Sequence, residues 1–416
     1  MPTIDLKYGG GTIPFEFDDN RFQVLGGQAD QTPLSDVEIG QKLDTPIGTK
    51  PLEEIVGPGQ SVLIVVPDAT RQTAAGQVVN LLVRRLIANG TLPFDISIIF
   101  ATGIHRKVTE AEKAAILTPF IAQRIKTLDH DPRDLARLVR LGETSGGIPV
   151  ELNRAVVDHD HIVLVGGVSF HYFAGFTGGR KLICPGLASS RTISATHKLA
   201  FDCESKARRD GVDTGLLDGN AVHEAFIEAV GKINPVFAIS TIVDSAGEAI
   251  DLFCGDWIES HRVACDDFAK HHTVNIAEKR DLVIVSCGGT PHDINLIQAH
   301  KALEAASQAC NDGGTIVLFA ECSEGLGRDD FLNWFDAGNS NAIAERLCEK
   351  YQVNGQTAWS LLRKAERFDV RLVTKLDDGL FDKMRLEPAM SLSRYSGKSG
   401  FILTEGSRTM IRQVAN

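Results

Sequence analysis

The feature that most constrains this chain is a set of short, continuously apolar runs, each followed at once by polar and ionisable residues. Residues 61–67 read SVLIVVP, residues 94–100 read FDISIIF and residues 161–168 read HIVLVGGV. Each has the length of a strand, and none alternates strictly between apolar and polar. A strand that is apolar on both sides must be covered on both faces, which is the condition of a parallel sheet packed between helices. A helical pattern through 78–86 follows the first run, as an alternation of strands and helices requires. In such sheets ligands bind beyond the carboxyl ends of the strands. Asp68 and Arg71 follow the first run, His105 the second and His171 the third. Three strand ends are therefore expected to bring ionisable groups to one edge of one sheet.

A second block of the same kind follows. Residues 281–286 (DLVIVS), 314–319 (GTIVLF) and 370–374 read as strands, and the first of them runs into a loop and then a helix. The opening 60 residues read as short strands and turns, with alternation over 12–17 and breaks at Gly9-Gly10-Gly11 and Gly26-Gly27. Residues 262–279 read as a connection between blocks, and 400–404 as a strand able to close either. A chain of 416 residues is too long for one ordinary core, so an α/β fold of two domains with mainly parallel sheets is expected.

Composition narrows the partners. The formal charge is −11, and no Lys/Arg stripe with interleaved aromatics is present, so no nucleic-acid partner is expected. Acidity also disfavours an anionic membrane surface, and no stretch approaches 18 uninterrupted apolar residues, so no membrane partner is expected either. The start has no basic region followed by an apolar run, hence no expected signal peptide. The eight cysteines are scattered without a CxxC pair. Free buried thiols in a reducing cytoplasm are the expectation.

The densest segment is 169–189, SFHYFAGFTGGRKLICPGLAS. Gly175, Gly178 and Gly179 free a loop whose amides can approach an anion, and Arg180 and Lys181 add positive charge beside it. The spacing is neither the P-loop nor the dinucleotide fingerprint, and a glycine-rich turn with an exposed basic pair is the ordinary alternative. Lys181 precedes the apolar LICPG; a lysine against apolar surroundings can serve as a nucleophile or attachment point, although most lysines simply face solvent. Of the twelve histidines, His130, His271 and His272 read as solvated, His159 and His161 as framing a strand, and His223 as part of a helix. His105, His171 and His197 stand apart, each in an expected loop beside Gly, Thr or Lys. Singly each is an ordinary structural histidine; together with Arg71 and Lys181 they read as a site. No HxH or HExxH spacing points to zinc. In PDATR, Asp68 or Thr70 can cap the next helix, and the fork of Arg71 suits that aspartate, a carboxylate or a phosphate. Gln298 and Lys301 share one face of an expected helix.

The segments PDATR (67–71), ATGIH (101–105), FHYFAGFTGGRKLICPG (170–186), ATHK (195–198) and HDINLIQAHKAL (292–303) resemble, in that order, those of lactate racemase and its nickel-dependent relatives. The resemblance implies a nickel-pincer nucleotide, a doubly thiolated nicotinic-acid mononucleotide, covalently attached at Lys181. It implies His197 as nickel ligand, His105 and His171 as paired acid/bases, and Arg71, Gln298 and Lys301 as substrate-binding residues. Asp68, Thr70, Gly178, Gly179 and Arg180 become the expected cofactor contacts. The implied domains are a larger one over 1–272, completed by about 393–416 and carrying the cofactor, and a smaller one over 273–392, with the active site in the cleft between them. The implied partners are a small 2-hydroxy carboxylate substrate and the proteins that mature the cofactor. The implied reaction is racemisation or epimerisation of a 2-hydroxy acid by hydride transfer to and from the cofactor. Two other readings fit the loop and lysine alone: a Schiff-base lyase without nickel, and a non-catalytic nucleotide- or metal-binding protein. Ile297 stands where lactate-specific relatives carry an aromatic residue, which puts lactate itself in question.

Overall fold

In the computed structural model, which describes residues 1–26, 31–389 and 391–414, the chain divides into two compact units. The larger comprises Asp30–Ala200 and Asp210–Phe268; the second comprises Met1–Ala29, Phe201–Arg209 and Ala269–Asn416. Gly27, one of the expected turn glycines, lies outside the described residues.

The larger unit is built on a six-stranded sheet. Its strands are β1 (Val62–Pro67), β2 (Ile96–Ala101), β3 (Lys126–Leu128), β4 (His161–Gly167), β5 (Phe237–Val243) and β6 (Ala249–Gly255), in the spatial order β6-β5-β4-β1-β2-β3. All neighbours are parallel except β5 and β6. Val62 to Val66 are wholly buried, as an apolar run between two helical layers must be; burial of each such side chain is worth roughly 1.5–3 kcal/mol before conformational entropy is counted. Helix α1 (Ala75–Ala88) turns Val78, Val79, Leu82, Val83 and Leu86 inward, the i, i+4 face of its apolar pattern. The strands β4, β1 and β2 are adjacent, and Pro67 stands opposite Ala101 in the register. Their carboxyl ends therefore open at one edge, as the sequence predicts.

The second unit carries another six-stranded sheet, parallel throughout. Its central strands are β7 (Arg280–Ser286), β8 (Cys310–Phe319), β9 (Asp369–Val373) and β10 (Gly400–Leu403). The N-terminal strand Phe22–Leu25 pairs with β10 at one edge, and Glu387–Pro388 flanks β9 at the other. Two α/β units with mainly parallel sheets are thus present.

Several expectations change. The contact-defined units differ from the expected division at both termini: residues 1–26 and the strand Gly400–Leu403 belong to the second unit, because Phe22–Leu25 and β10 extend its sheet in unbroken parallel register. The opening 60 residues hold a helix, Asp36–Asp44, closed by a Ser35–Glu38 capping box. The expected connection 262–279 is mostly helix, α4 (Glu259–His272). Cys203 and Cys348 form a disulfide within the second unit, so two of the eight cysteines are not the free thiols expected; the other six are free and buried. His130 is buried, its ring bonded to the Ala188 carbonyl and the Asn153 amide. His272 is also buried, 3.5 Å from an Arg408 nitrogen. No helix among the described residues is long and apolar enough to cross a membrane.

Candidate active site

The edge formed by β1, β2 and β4 carries the first group of polar residues. Asp68, the residue after β1, is only 5% exposed. Its Oδ1 accepts from the Thr70 backbone N–H at 3.0 Å and from the Thr70 hydroxyl at 2.6 Å. Its Oδ2 lies 2.7 Å from Nδ1 of His105, four residues past the end of β2. Burial alone would raise the Asp68 carboxyl; the His105 ring, the Thr70 hydroxyl and the Arg71 charge outweigh it and hold the group at about 2. A carboxylate can only accept, so the shared proton sits on His105 Nδ1 and the other ring nitrogen, Nε2, keeps its lone pair while the ring is neutral. Asp68 and Thr70 do not cap the next helix. Helix α1 follows Ala74, which adopts a left-handed conformation with no side-chain cap. The half-buried Arg71 has its charge disfavoured by burial, partly offset by Asp68, and no carboxylate among the described residues lies within ion-pair distance of it.

The glycine-rich segment folds back on itself. Phe170–His171 pairs antiparallel with Gly175–Phe176, and Lys181 lies in a single 3-10 turn, Gly179–Leu182. The glycines answer to packing: a side chain on Gly178 would meet the Gly167 carbonyl at 2.8 Å, and one on Gly179 the His261 ring at 2.6 Å. His171 is buried, stacked on Tyr172 and edge-on to Phe173. Its Nδ1 accepts from the backbone N–H groups of Phe173 and Ala174 at 3.4 and 3.3 Å. A neutral His171 thus carries its proton on Nε2, opposite to His105. Arg180, expected beside an anion at the surface, is 1% exposed and turned inward, donating from Nη2 to the Ala174 carbonyl at 2.7 Å.

His197 is not in a loop. It is the penultimate residue of helix α2 (Ser190–Lys198), which starts with Ser189 accepting from the Thr192 N–H. The buried residues Thr192, Ile193, Thr196 and His197 fall on one face, so the periodicity of the helix turns the imidazole inward. Burial, then the Lys181 charge, depress His197 to about 3. A helix C-terminus would favour the cation by at most about 2 kcal/mol, and the net direction shows that burial and the Lys181 charge together outweigh it. His197 and Lys181 share two aromatic rings. The Lys181 nitrogen is 5.5 Å from the Phe173 centroid and 5.6 Å from that of Phe226; the His197 ring is 5.2 and 5.8 Å from the same two.

Gln298 and Lys301 lie in the second unit. The expected single helix is two, Leu296–Ala299 and Ala302–Ala309, with Lys301 at the junction. The shared face survives: Lys301 Nζ donates to Gln298 Oε1 at 2.5 Å. Ile297 is half-buried and packs on the core of the second unit.

Sequence reasoning missed three members of this neighbourhood: His261 beneath the Gly179 turn, and the Phe173 and Phe226 walls. Phe226 comes from α3 (Ala221–Val230), distant in sequence from the lysine motif, where an apolar helical position reads only as core.

Comparisons with known proteins identify the family. The lactate racemase N-terminal domain model matches residues 8–209, and the lactate racemase C-terminal domain model matches residues 276–405. Lactate racemase of Thermoanaerobacterium thermosaccharolyticum is 33% identical over 339 residues, 80% of this chain and 78% of the relative. Lactate racemase of Lactiplantibacillus plantarum is 33% identical over 338 residues, with the same coverage of 80% and 78%. The structure of the lactate racemase apoprotein from Thermoanaerobacterium thermosaccharolyticum superposes with a TM-score of 0.86 at 27% identity, covering 99% of this chain and 100% of that one. A Thermotoga maritima protein shares the fold, with a TM-score of 0.73 at 20% identity over 93% of this chain and 100% of that one. With both domain models matched in order across most of its length, the chain belongs to the lactate racemase family, a family of isomerases.

Proposed function

We propose that this protein racemises or epimerises a small 2-hydroxy acid, using a nickel-pincer nucleotide tethered at Lys181, with His197 as a nickel ligand and His105 and His171 as paired acid/bases. The observation that carries the reading is the pairing of Lys181 and His197 over the same two phenylalanine rings. An attachment amine and a neutral imidazole share the same two aromatic neighbours, and imidazole is among the donors that suit nickel. The residues fit the group: His197 is held neutral and so keeps a lone pair for a metal, and Lys181 lies beside apolar rings rather than in bulk water.

When bound, the cofactor supplies a hydride acceptor for the C2 hydrogen, so that the substrate passes through a planar 2-keto acid. The chain's own residues handle the rest. Arg71, Gln298 and Lys301 bind the carboxylate and restrain the substrate's rotation. The hydroxyl proton leaves as C2 is oxidised, and it points in different directions in the two stereoisomers. One base on each side is required, and two histidines meet that need, since a neutral imidazole accepts a proton and its cation returns one. His105 takes the proton at Nε2, with Asp68 holding the ring. His171 serves the other stereoisomer, as acid from Nε2–H, and as base once Nδ1 gives up its long contacts with the Phe173 and Ala174 N–H groups and takes the ring proton. The two curated relatives are named for lactate; with Ile297 in place of an aromatic, we assign this chain the wider class of small 2-hydroxy acids. The cofactor-maturation proteins are its further expected partners.

The test is single-turnover formation of keto acid from each pure stereoisomer, by cofactor-loaded protein, after a panel of chiral 2-hydroxy acids has identified a substrate. Wild type converts both stereoisomers. His105→Ala retains one half-reaction and His171→Ala the other, while each slows full racemisation by roughly a hundred- to ten-thousand-fold. Loss of the same stereoisomer in both variants rules out the two-base arrangement. A loaded protein whose Lys181 peptide carries no mass increment rules out the tether, and the same result on a protein that cleaves its substrate identifies the lyase instead.

A further inference from the structure

Arg180 is an arginine buried without a countercharge. It is 1% exposed, and no carboxylate among the described residues lies within ion-pair distance of it. One clean acceptor serves it, the Ala174 carbonyl at 2.7 Å from Nη2. Its Nε has no hydrogen-bond partner. Its Nη1 lies 3.2 Å from Nε2 of His261, but that nitrogen also lies 2.8 Å from the Thr177 carbonyl. A carbonyl only accepts, so Nε2–H of His261 donates to Thr177, and no lone pair is left there for Arg180. Nδ1 of His223, which feels the Arg180 charge, is likewise buried without a partner. Burial draws Arg180 down to about 10, opposed only by the Cys265 thiol, which burial itself keeps from ionising.

A cation in this position is costly unless something compensates it, since buried charges are ordinarily paired. The residue stands between Gly179 and Lys181, in the turn proposed to hold an anionic nucleotide, and the His261 ring fills the space directly under Gly179. We propose that Arg180 is a fixed buried charge whose counter-ion is the anionic nucleotide itself, and that His261 is the residue that positions it. Arg180 acts through the turn rather than by touching the ligand. His261 ties the turn at the Thr177 carbonyl and packs against the guanidinium, so the charge cannot swing toward solvent. The proposal rests on the reading that the glycine-rich turn receives a nucleotide. Its electrostatic logic is preorganisation: the cost is carried by the apo protein and relieved when the anion arrives.

The experiment measures binding of nicotinic acid mononucleotide and of its phosphate-free nucleoside to the full-length apo protein by titration calorimetry. Wild type is expected to bind the mononucleotide more tightly than the nucleoside. Arg180→Gln keeps a donor for the Ala174 carbonyl but removes the charge, and is expected to weaken mononucleotide binding by tenfold or more. Arg180→Lys keeps the charge and is expected to stay within a few fold of wild type. His261→Leu is expected to weaken binding and His261→Gln, which retains a donor for Thr177, to restore it. Equal affinity in Arg180→Gln and wild type overturns the countercharge role and leaves the nucleotide site standing. A wild type that binds no mononucleotide overturns the nucleotide site itself. If Arg180→Gln shows no cooperative melt, Arg180→Lys decides, because a tenfold loss with the charge retained also overturns the proposal.

Discussion

The Asp68 carboxylate lies 2.7 Å from Nδ1 of His105, and this contact joins the ends of two neighbouring strands. It sets which ring nitrogen carries the proton. Asp68→Asn presents a donor or acceptor amide in place of an acceptor-only carboxylate, so the proton can shift to Nε2. We expect 15N spectra of histidine-labelled apo protein to show His105 protonated at Nδ1 in wild type and largely at Nε2 in the variant. The loaded variant should lose on the order of a hundredfold or more in kcat. An Nδ1–H that persists in Asp68→Asn means that the carboxylate does not set the tautomer.

The Gly179 turn should tolerate no side chain. Its φ is +50°, and an added Cβ would meet the His261 ring at 2.6 Å. Gly179→Ala combines left-handed strain with overpacking and should cost about 2–4 kcal/mol. Gly219 is the control, with φ +73° and nothing within 4 Å of an added Cβ; Gly219→Ala should cost about 1 kcal/mol, from strain alone. Urea midpoints of the two variants check this, and equal losses would show that the His261 contact relaxes freely.

Stability should fall on mild acidification. Burial depresses His130 to about 4, where its neutral ring bonds the Ala188 carbonyl and the Asn153 amide. The unfolded chain binds the proton near the ordinary value of 6.5. The folded protein therefore holds the full contribution above that pH and loses it as pH falls through 6.5 toward 4. The loss attributable to His130 is about 3 kcal/mol. His223 and His261, each depressed to about 3 by burial first, act with the same sign. Chemical denaturation across pH 7 to 4 should show a shallower decline in His130→Gln than in wild type; parallel curves would remove His130 from the account.

The runs at 61–67, 94–100 and 161–168 were readable as parallel strands because an all-apolar strand has no other stable setting, and the polar residues just beyond them follow the strands to the sheet edge. Local pattern could thus determine the α/β class and put Asp68 and His105 just beyond the ends of neighbouring strands. It could not determine partners distant in sequence. Asp68 and His105 are 37 residues apart, Arg180 and His261 are 81 apart, and nothing in either local segment names the other. His130 and His272 looked solvated because their neighbours are polar, yet tertiary packing buries both. Cys203 and Cys348, separated by 145 residues, show no spacing signal and meet only because the fold brings residues 201–209 to the second unit. Arg180 was the sharpest reversal: beside Lys181 in sequence it reads as half of a basic pair, but one turn of 3-10 helix sends its side chain into the protein. Sequence periodicity reports which face is apolar; which cation ends up beneath it is decided by packing between segments far apart in the chain.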